Sequence, residues 1–168
     1  MNRRSHKTTF DRWLDHHLGL LLKVAASFSS DKIDRDDLLQ EMTFQMWRSI
    51  PNYDGRVRES TWIYRVALYT AIRWSKVESK RRQRTTQLEQ PSIVIDQTDS
   101  DPRLRWLYEK ISELDPIDRS LALLMLDGFS YHEMSDMLGL SESNVGVRIS
   151  RLKKQLIQKL EQEQNDDS

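Results

Sequence analysis

At 168 residues the chain makes one ordinary domain or two small ones sharing a linker, at roughly 100–200 residues per domain, which excludes a large multidomain enzyme. Lys plus Arg number 26 and Asp plus Glu number 26, so a formal net charge of zero hides a chain that is 31% charged and only 38% hydrophobic; where the charges sit matters more than their sum. With no Cys there is no disulfide framework and no thiolate metal site, zinc could come only from four His and the carboxylates, and no run of about 18 apolar residues exists to span a membrane.

The N-terminal stretch Met1 to Lys7 is basic, but Asp11, Arg12, Asp15, His16 and His17 stand where a signal peptide needs an apolar core. The protein is therefore expected in the cytoplasm, with no membrane insertion. Gly and Pro are scarce and apolar residues recur at helical spacing almost throughout, which predicts an all-α protein with short connections.

A first helix is expected from about Phe10 to Phe28, with Leu14, Leu18, Leu21 and Ala25 on one face. Asp34 can cap a second, with Asp36 and Asp37 in its first turn, where the helix dipole favours acids, and with Leu39, Met42, Met46 and Ile50 as its buried stripe. Pro51 to Gly55 ends it. Ser60 or Thr61 can cap a third helix that carries Trp62, Ile63, Val66, Ala67, Thr70 and Ile72 and runs out into Lys80-Arg81-Arg82-Gln83-Arg84.

From Thr85 to Asp101 there are four acids, no Lys or Arg, and a Pro, which reads as an acidic linker. A second helical set then starts near Pro102, with Trp106, Leu107, Ile111 and Leu114 on one face. Asp115-Pro116 is a helix start, the Asp as N-cap and the Pro at the first helical position. Gly128 stops that helix, Ser130-Tyr131-His132-Glu133 has the pattern of a capping box, and Gly139-Leu140-Ser141 separates a short helix from a longer one beginning near Glu142. The expected organisation is thus two small helical domains, residues 1–84 and 102–168, joined by the acidic linker 85–101.

The charges are segregated. Arg73, Lys76, Lys80, Arg81, Arg82 and Arg84 face only Glu78 in the third helix, and Arg148, Arg151, Lys153, Lys154 and Lys159 face only Glu142 in the last. Acid collects at Asp31 to Glu41 and after Leu160. One basic run is as readily a solvated helix face as a binding surface; two, each on a motif, favour binding.

Ser130 to Lys154 has the layout of a helix-turn-helix, in which the second helix enters the major groove. Val145, Ile149 and Leu152 would face inward, leaving Ser143, Asn144, Val147, Arg148, Arg151 and Lys154 to duplex DNA. Asn pairs with adenine, Arg with guanine, and later Lys and Arg meet phosphates. A plain helical hairpin is the alternative.

The third helix interleaves Trp62, Tyr64, Tyr69 and Trp74 with cations, a composition suited to single-stranded nucleic acid, whose bases stack on rings while the backbone meets Arg and Lys. Taken alone, Trp62 reads as core; Tyr64, Tyr69 and Trp74 cannot all face inward.

No enzyme constellation can be assembled. Asp31, Asp34, Asp36 and Asp37 lack the Gly and Glu positions of a calcium hand, and the adjacent His16 and His17 point to different helix faces and make no zinc pair. No phosphate-binding Gly-rich loop or nucleophile elbow is present, so neither a cofactor nor a metal is expected.

Four stretches, in order, resemble the extracytoplasmic-function sigma factors of bacterial RNA polymerase: Asp34 to Trp47 (DRDDLLQEMTFQMW), Ser60 to Ala67 (STWIYRVA), Leu114-Asp115-Pro116 continuing to Gly128–Met134 (GFSYHEM), and Leu140 to Arg151 (LSESNVGVRISR). The resemblance covers about Phe10 to Arg84 and Pro102 to Leu160. It implies a two-domain initiation factor that directs core polymerase to promoters and assists melting. The second helix would dock on the clamp helices of the largest polymerase subunit through Asp37, Gln40, Glu41, Phe44 and Trp47; the alternative is that Phe44 and Trp47 are partly core and the acids cap a helix. The loop from Pro51 to Glu59 would capture an unpaired base of the minus-ten element, giving Asn52, Tyr53, Asp54, Arg56, Trp62, Tyr64, Arg65, Tyr69 and Arg73 as melted-strand contacts. The helix-turn-helix would read the minus-thirty-five element. The resemblance also implies an anti-sigma partner, and the linker would thread toward the polymerase active-site channel.

Two departures stand out. Tyr69 and Arg73 occupy positions where members often carry Asn and then an acid. Gly146 replaces a common Lys, which removes one expected phosphate contact and weakens the helix locally by about 1 kcal/mol relative to Ala. The rival reading is a stand-alone helix-turn-helix regulator, which would bind duplex tightly without polymerase.

Overall fold

The computed structural model describes residues 2–84 and 101–167, with side chains described to Arg81 in the first stretch. Among these residues every regular element is helical: α1 (Arg3–Phe28), α2 (Lys32–Ser49), a single 3-10 turn (Ile50–Asn52), α3 (Glu59–Arg84), α4 (Pro102–Ser112), α5 (Pro116–Leu126), α6 (Tyr131–Leu138) and α7 (Glu142–Asp166). The helices form two separate packing units, divided between Asp101 and Pro102. Apart from Asp101, the acidic linker at 85–101 lies outside the described residues.

Unit 1 is a bundle of α1, α2 and α3, each packed on the other two. Its core is Trp13, Leu21, Val24 and Phe28 from α1, Leu38, Met42 and Met46 from α2, and Ile63, Tyr64, Ala67, Leu68 and Ala71 from α3. Three expectations are corrected here. First, α1 starts at Arg3 with Asn2 as its cap, not near Phe10, and it buries Trp13 and Val24 beside the expected Leu21 and Ala25, while Leu18 is exposed. Second, Asp31 rather than Asp34 caps α2, its carboxylate accepting the Asp34 backbone N–H at 2.7 Å, and Leu38 rather than Leu39 joins Met42 and Met46 inside. Third, α3 begins at Glu59, one residue before the expected Ser cap, with the Trp62 backbone N–H already bonded to the Arg58 carbonyl at 3.0 Å. Met42 has no exposed surface, and shortening it to Ala costs about 2–5 kcal/mol.

Unit 2 buries Ile111 of α4, Leu121 to Leu124 of α5, Met134, Met137 and Leu138 of α6, and Val145, Ile149 and Leu152 of α7. Asp115 caps α5, accepting the backbone N–H groups of Ile117 and Asp118 at 3.0 Å, with Pro116 at the first helical position. Ser130 and Glu133 close a reciprocal capping box on α6. Gly139 then turns the chain in the left-handed region at φ +67°, where a side chain would be strained, and Ser141 caps α7.

The acidic residues after Leu160 extend the last helix. Helix α7 continues to Asp166, and Glu163 takes hydrogen bonds or ion pairs from the Trp106 indole and from Lys110 at 3.1 Å, while Lys159 reaches Glu113 at 2.7 Å. The end of α7 is thereby fastened along α4. Arg119, whose sequence position gave no warning, is half-buried and donates to the carbonyls of Ser112 and Leu114 at 2.8 Å each, closing the corner between α4 and α5 at the negative end of the α4 dipole.

Candidate nucleic-acid interfaces

On unit 1, α2 and α3 enclose an open groove of about 440 Å3 lined by Gln45, Arg48, Ser49, Asn52, Trp62, Arg65, Val66, Tyr69, Thr70 and Arg73. Three guanidiniums and two aromatic rings line it, and no carboxylate does. The Trp62 indole donates to Ser49 Oγ at 3.1 Å, which fixes its ring as one wall. Tyr69 is 38% exposed, with the Arg65 guanidinium 5.5 Å from its ring centre, close enough for a cation–π contact. Such a concave surface can hold a flat base on a ring with its phosphate between Arg side chains.

The structure brings Asn52, Trp62, Arg65, Tyr69 and Arg73 together in this groove. Tyr64 does not join them: at 3% exposure it is core, capped by Lys23 Nζ 5.3 Å from its ring, and it is removed from the strand contacts. Tyr53 is also turned away from the groove. Its ring packs edge-on to Trp13 at 5.4 Å and against Trp62 at 5.5 Å, and its hydroxyl donates to the Val57 carbonyl at 2.6 Å, closing the loop from inside. Burial, then the Glu59 and Asp54 carboxylates, hold the phenol above its usual range, so it remains a donor. Asp54 and Arg56 are exposed on the loop and ion-paired at 3.2 Å.

The loop is anchored at its far end by a bidentate pair, Arg12 of α1 donating to both oxygens of Glu59 at 2.7 and 2.6 Å. These hydrogen bonds hold the Glu59 carboxyl below the ordinary range against the opposing effect of burial.

Gln45 and Arg48 line the same groove, and the sequence reading missed both. They lie three apart on the flank of α2, a spacing visible in the sequence, but only the packing of α2 on α3 turns that flank toward Trp62 and Arg65.

Along the outer side of α2, Asp37, Gln40, Glu41 and Phe44 are exposed as one stripe, Phe44 at 53%. Trp47 is not part of it. It stacks on His6 with ring centres 4.0 Å apart and meets Phe10 edge-on at 5.2 Å, and its carbonyl lies 2.8 Å from His6 Nε2. The early start of α1 is the cause, since His6 lies in the turns that the sequence left outside the helix.

On unit 2, Ser143, Gly146, Val147, Ser150, Arg151 and Lys154 line a shallow groove of about 540 Å3 along one side of α7. Val147 is 54% exposed at its centre. Behind it, a Cβ on Gly146 would meet only the Tyr131 ring at 3.7 Å, so glycine is not demanded by packing there. Asn144 is exposed at the edge of this face. Arg148 departs from the expected set: it turns toward α5 and ion-pairs with Asp118 at 2.9 Å.

No helix among the described residues is long and apolar enough to cross a membrane, and no group of His, Asp or Glu among them is disposed to hold a metal ion.

The two all-helical units, one with an aromatic and cationic groove and one with a capped helix-turn-helix, each match a known family model. Residues 13–84 match the model for sigma-70 region 2 and residues 104–156 that for sigma-70 region 4, together most of the chain. The chain is 27% identical over 125 residues to the ECF RNA polymerase sigma factor SigX of Bacillus subtilis, a match spanning 68% of this chain and 64% of that protein. It is 26% identical over 157 residues to the ECF RNA polymerase sigma factor SigE of Mycolicibacterium smegmatis, spanning 88% of this chain and 60% of that protein. The matches thus extend over somewhat less than two thirds of these relatives. The fold resembles the sigma factor RpoE solved with the anti-sigma factor NepR from Bartonella quintana, with a TM-score of 0.76 at 20% identity over 91% of this chain and 97% of that one. It also resembles CnrH, solved with the cytosolic domain of CnrY, with a TM-score of 0.64 at 22% identity over 92% and 89%. The chain belongs to the extracytoplasmic-function sigma factors of the sigma-70 family.

Proposed function

We propose that the chain is a promoter-recognition subunit of bacterial RNA polymerase, which directs the core enzyme to specific promoters and helps to open them. The observation that carries this reading is the groove in which Arg48, Arg65 and Arg73 meet Trp62 and Tyr69 without a carboxylate. A stand-alone duplex binder has no use for a ring-lined cationic groove; a factor that keeps one strand unpaired does.

In this reading Asn52, Trp62, Arg65, Tyr69 and Arg73, with Gln45 and Arg48, hold the opened strand, while the Tyr53-braced loop with Asp54 and Arg56 borders it. Ser143, Asn144, Val147, Arg151 and Lys154 meet duplex, and Asp37, Gln40, Glu41 and Phe44 form the polymerase-docking stripe. Opening is favoured because the groove binds a base only after it has left the stack, so its binding free energy is available to the melted state alone. The protein acts by binding, without chemistry of its own, and it works in the cytoplasm alongside the polymerase. An anti-sigma protein is the expected antagonist, a proposal that follows the structural neighbour solved with the anti-sigma factor NepR.

The test is transcription from a promoter library by purified core RNA polymerase, with and without the protein, followed by sequencing of the starts. Starts that share two spaced upstream elements only when the protein is present are the expected result. No protein-dependent starts, together with tight duplex binding by the protein alone, would overturn the reading in favour of a stand-alone regulator.

A further inference from the structure

Helix α7 carries two kinds of cation. Arg151 and Lys154 line its open face. Arg148, one position beyond Val147, does not: its side chain is only 30% exposed, with Nη1 2.9 Å from Asp118 Oδ1 and 3.9 Å from Asp115 Oδ1, while its Nε donates to Asn144 Oδ1 at 3.3 Å. Asp115 is the cap of α5 and Asp118 lies in that helix's first turn. The Arg148 guanidinium therefore joins the start of α5 to the first turns of the helix assigned to duplex DNA, and it steadies Asn144 on the way.

We propose that Arg148 is a positioning residue, which sets the rotation of α7 on α5 so that Ser143, Val147 and Arg151 present one surface to duplex, and that it is not a phosphate contact. The proposal rests on the assignment of that surface to duplex DNA. Neighbouring side chains on a helix lie about 100° apart, so even a modest turn of α7 about its axis would carry Val147 and Arg151 off the surface together. A guanidinium already facing two carboxylates has little net field left for a phosphate, and a partly buried pair is costly to break because the remaining carboxylate loses its partner.

Asp118 separates the two roles by sign. If Arg148 were meant for phosphate, Asp118→Asn would release it and remove a negative charge beside the DNA, and promoter binding would tighten. If Arg148 is a strut, the same substitution loosens α7, and promoter binding weakens although the protein has become less acidic.

The test measures binding of holoenzyme, made from core polymerase and the full chain, to a promoter recovered from the library above and to random duplex, over a series of salt concentrations. Arg148→Ala and Asp118→Asn are each expected to lose about tenfold in preference for promoter over random duplex. The salt slope should stay at the wild-type value, and the exchange Arg148→Asp with Asp118→Arg should recover part of the loss. A slope reduced by about one in Arg148→Ala, or tighter binding in Asp118→Asn, would overturn the proposal. Should Asp118→Asn melt below the assay temperature, Arg148→Lys serves instead, keeping the cation but losing the fork: weakened preference at an unchanged slope supports the strut, and wild-type binding overturns it. Arg151→Ala separates the failure of the underlying assignment, because an unchanged slope in that variant would mean that this face of α7 does not meet duplex at all.

Discussion

The two candidate DNA surfaces use arginine in opposite ways. In unit 1, Arg48, Arg65 and Arg73 converge from two helices on a concave groove walled by Trp62 and Tyr69. In unit 2, Arg151 and Lys154 lie on one side of a single helix beside Ser143, Gly146 and Val147, with no aromatic ring in the groove, while Arg148 is turned inward to Asp118. A concave, ring-lined site rewards a base that has left its stack; a flat helix side with small residues rewards close approach to a groove that is already formed. That difference is what supports the proposal of the melted strand for unit 1 and duplex for unit 2, and it makes no appeal to net charge, which is zero for the whole chain.

The sharpest way to break that division is at the rings. Tyr69→Ala should weaken binding of holoenzyme to a fork with an unpaired strand by about tenfold or more, since each base stacked on a ring is worth about 1–3 kcal/mol, and it should leave fully duplex upstream DNA untouched. Equal losses on both DNAs, measured by equilibrium binding, would merge the two surfaces into one. Arg48→Ala comes next. It should lower the salt slope on the unpaired strand by about 0.7, the value for one phosphate on single-stranded DNA, whereas Arg151→Ala should lower the duplex slope by about 0.9.

A smaller effect sharpens the account of unit 2. Exposed Val147 at the centre of the α7 groove fits the methyl group of a thymine. Replacing thymine by uracil in the upstream element should cost wild-type protein about fourfold at one position, the worth of a buried methyl, and should cost Val147→Ser nothing there. The smallest effect concerns the frame of the unit 1 groove. The Glu59 carboxyl is held below its ordinary value near 4.5 by Arg12, so its contribution to stability is present above that value and is lost as pH falls through the lower, folded-state one. Glu59→Gln should therefore melt earlier than wild type at neutral pH, by an amount matching a pair worth up to about 1 kcal/mol, and the gap should close in acid. A gap that widens in acid would exclude the Arg12–Glu59 pair as an anchor of the loop.

Much of unit 2 was legible because its signals are local. Asp115-Pro116, the Ser130 and Glu133 box and Gly139 each mark a helix end within four residues of chain, and each occurs where the spacing put it. Unit 1 was harder, since its boundaries are decided by packing. Helix α1 reaches back to Arg3 because His6 and Phe10 have Trp47 to cover, a partner 41 residues away from His6 that no local pattern shows. Tyr64 and Tyr69 are five positions apart, roughly 140° around the helix, so they face different ways, and the packing of α3 on α1 and α2 decides that Tyr64 is core and Tyr69 is wall. The pairing of Arg148 was hidden for a related reason: helical spacing puts it next to the exposed face, but its acid, Asp118, lies 30 residues earlier on another helix. The groove residues Gln45 and Arg48 offered only their spacing of three and one basic side chain near the end of α2, neither of which shows that this flank meets α3.

The most direct test of the division of labour is one table of four binding constants in holoenzyme: Tyr69→Ala and Arg151→Ala, each against a fork with an unpaired downstream strand and against duplex upstream DNA. Loss confined to the fork for Tyr69→Ala and to the duplex for Arg151→Ala is the predicted result. Losses that follow total DNA length, with no exchange of sensitivity between the two variants, would contradict it.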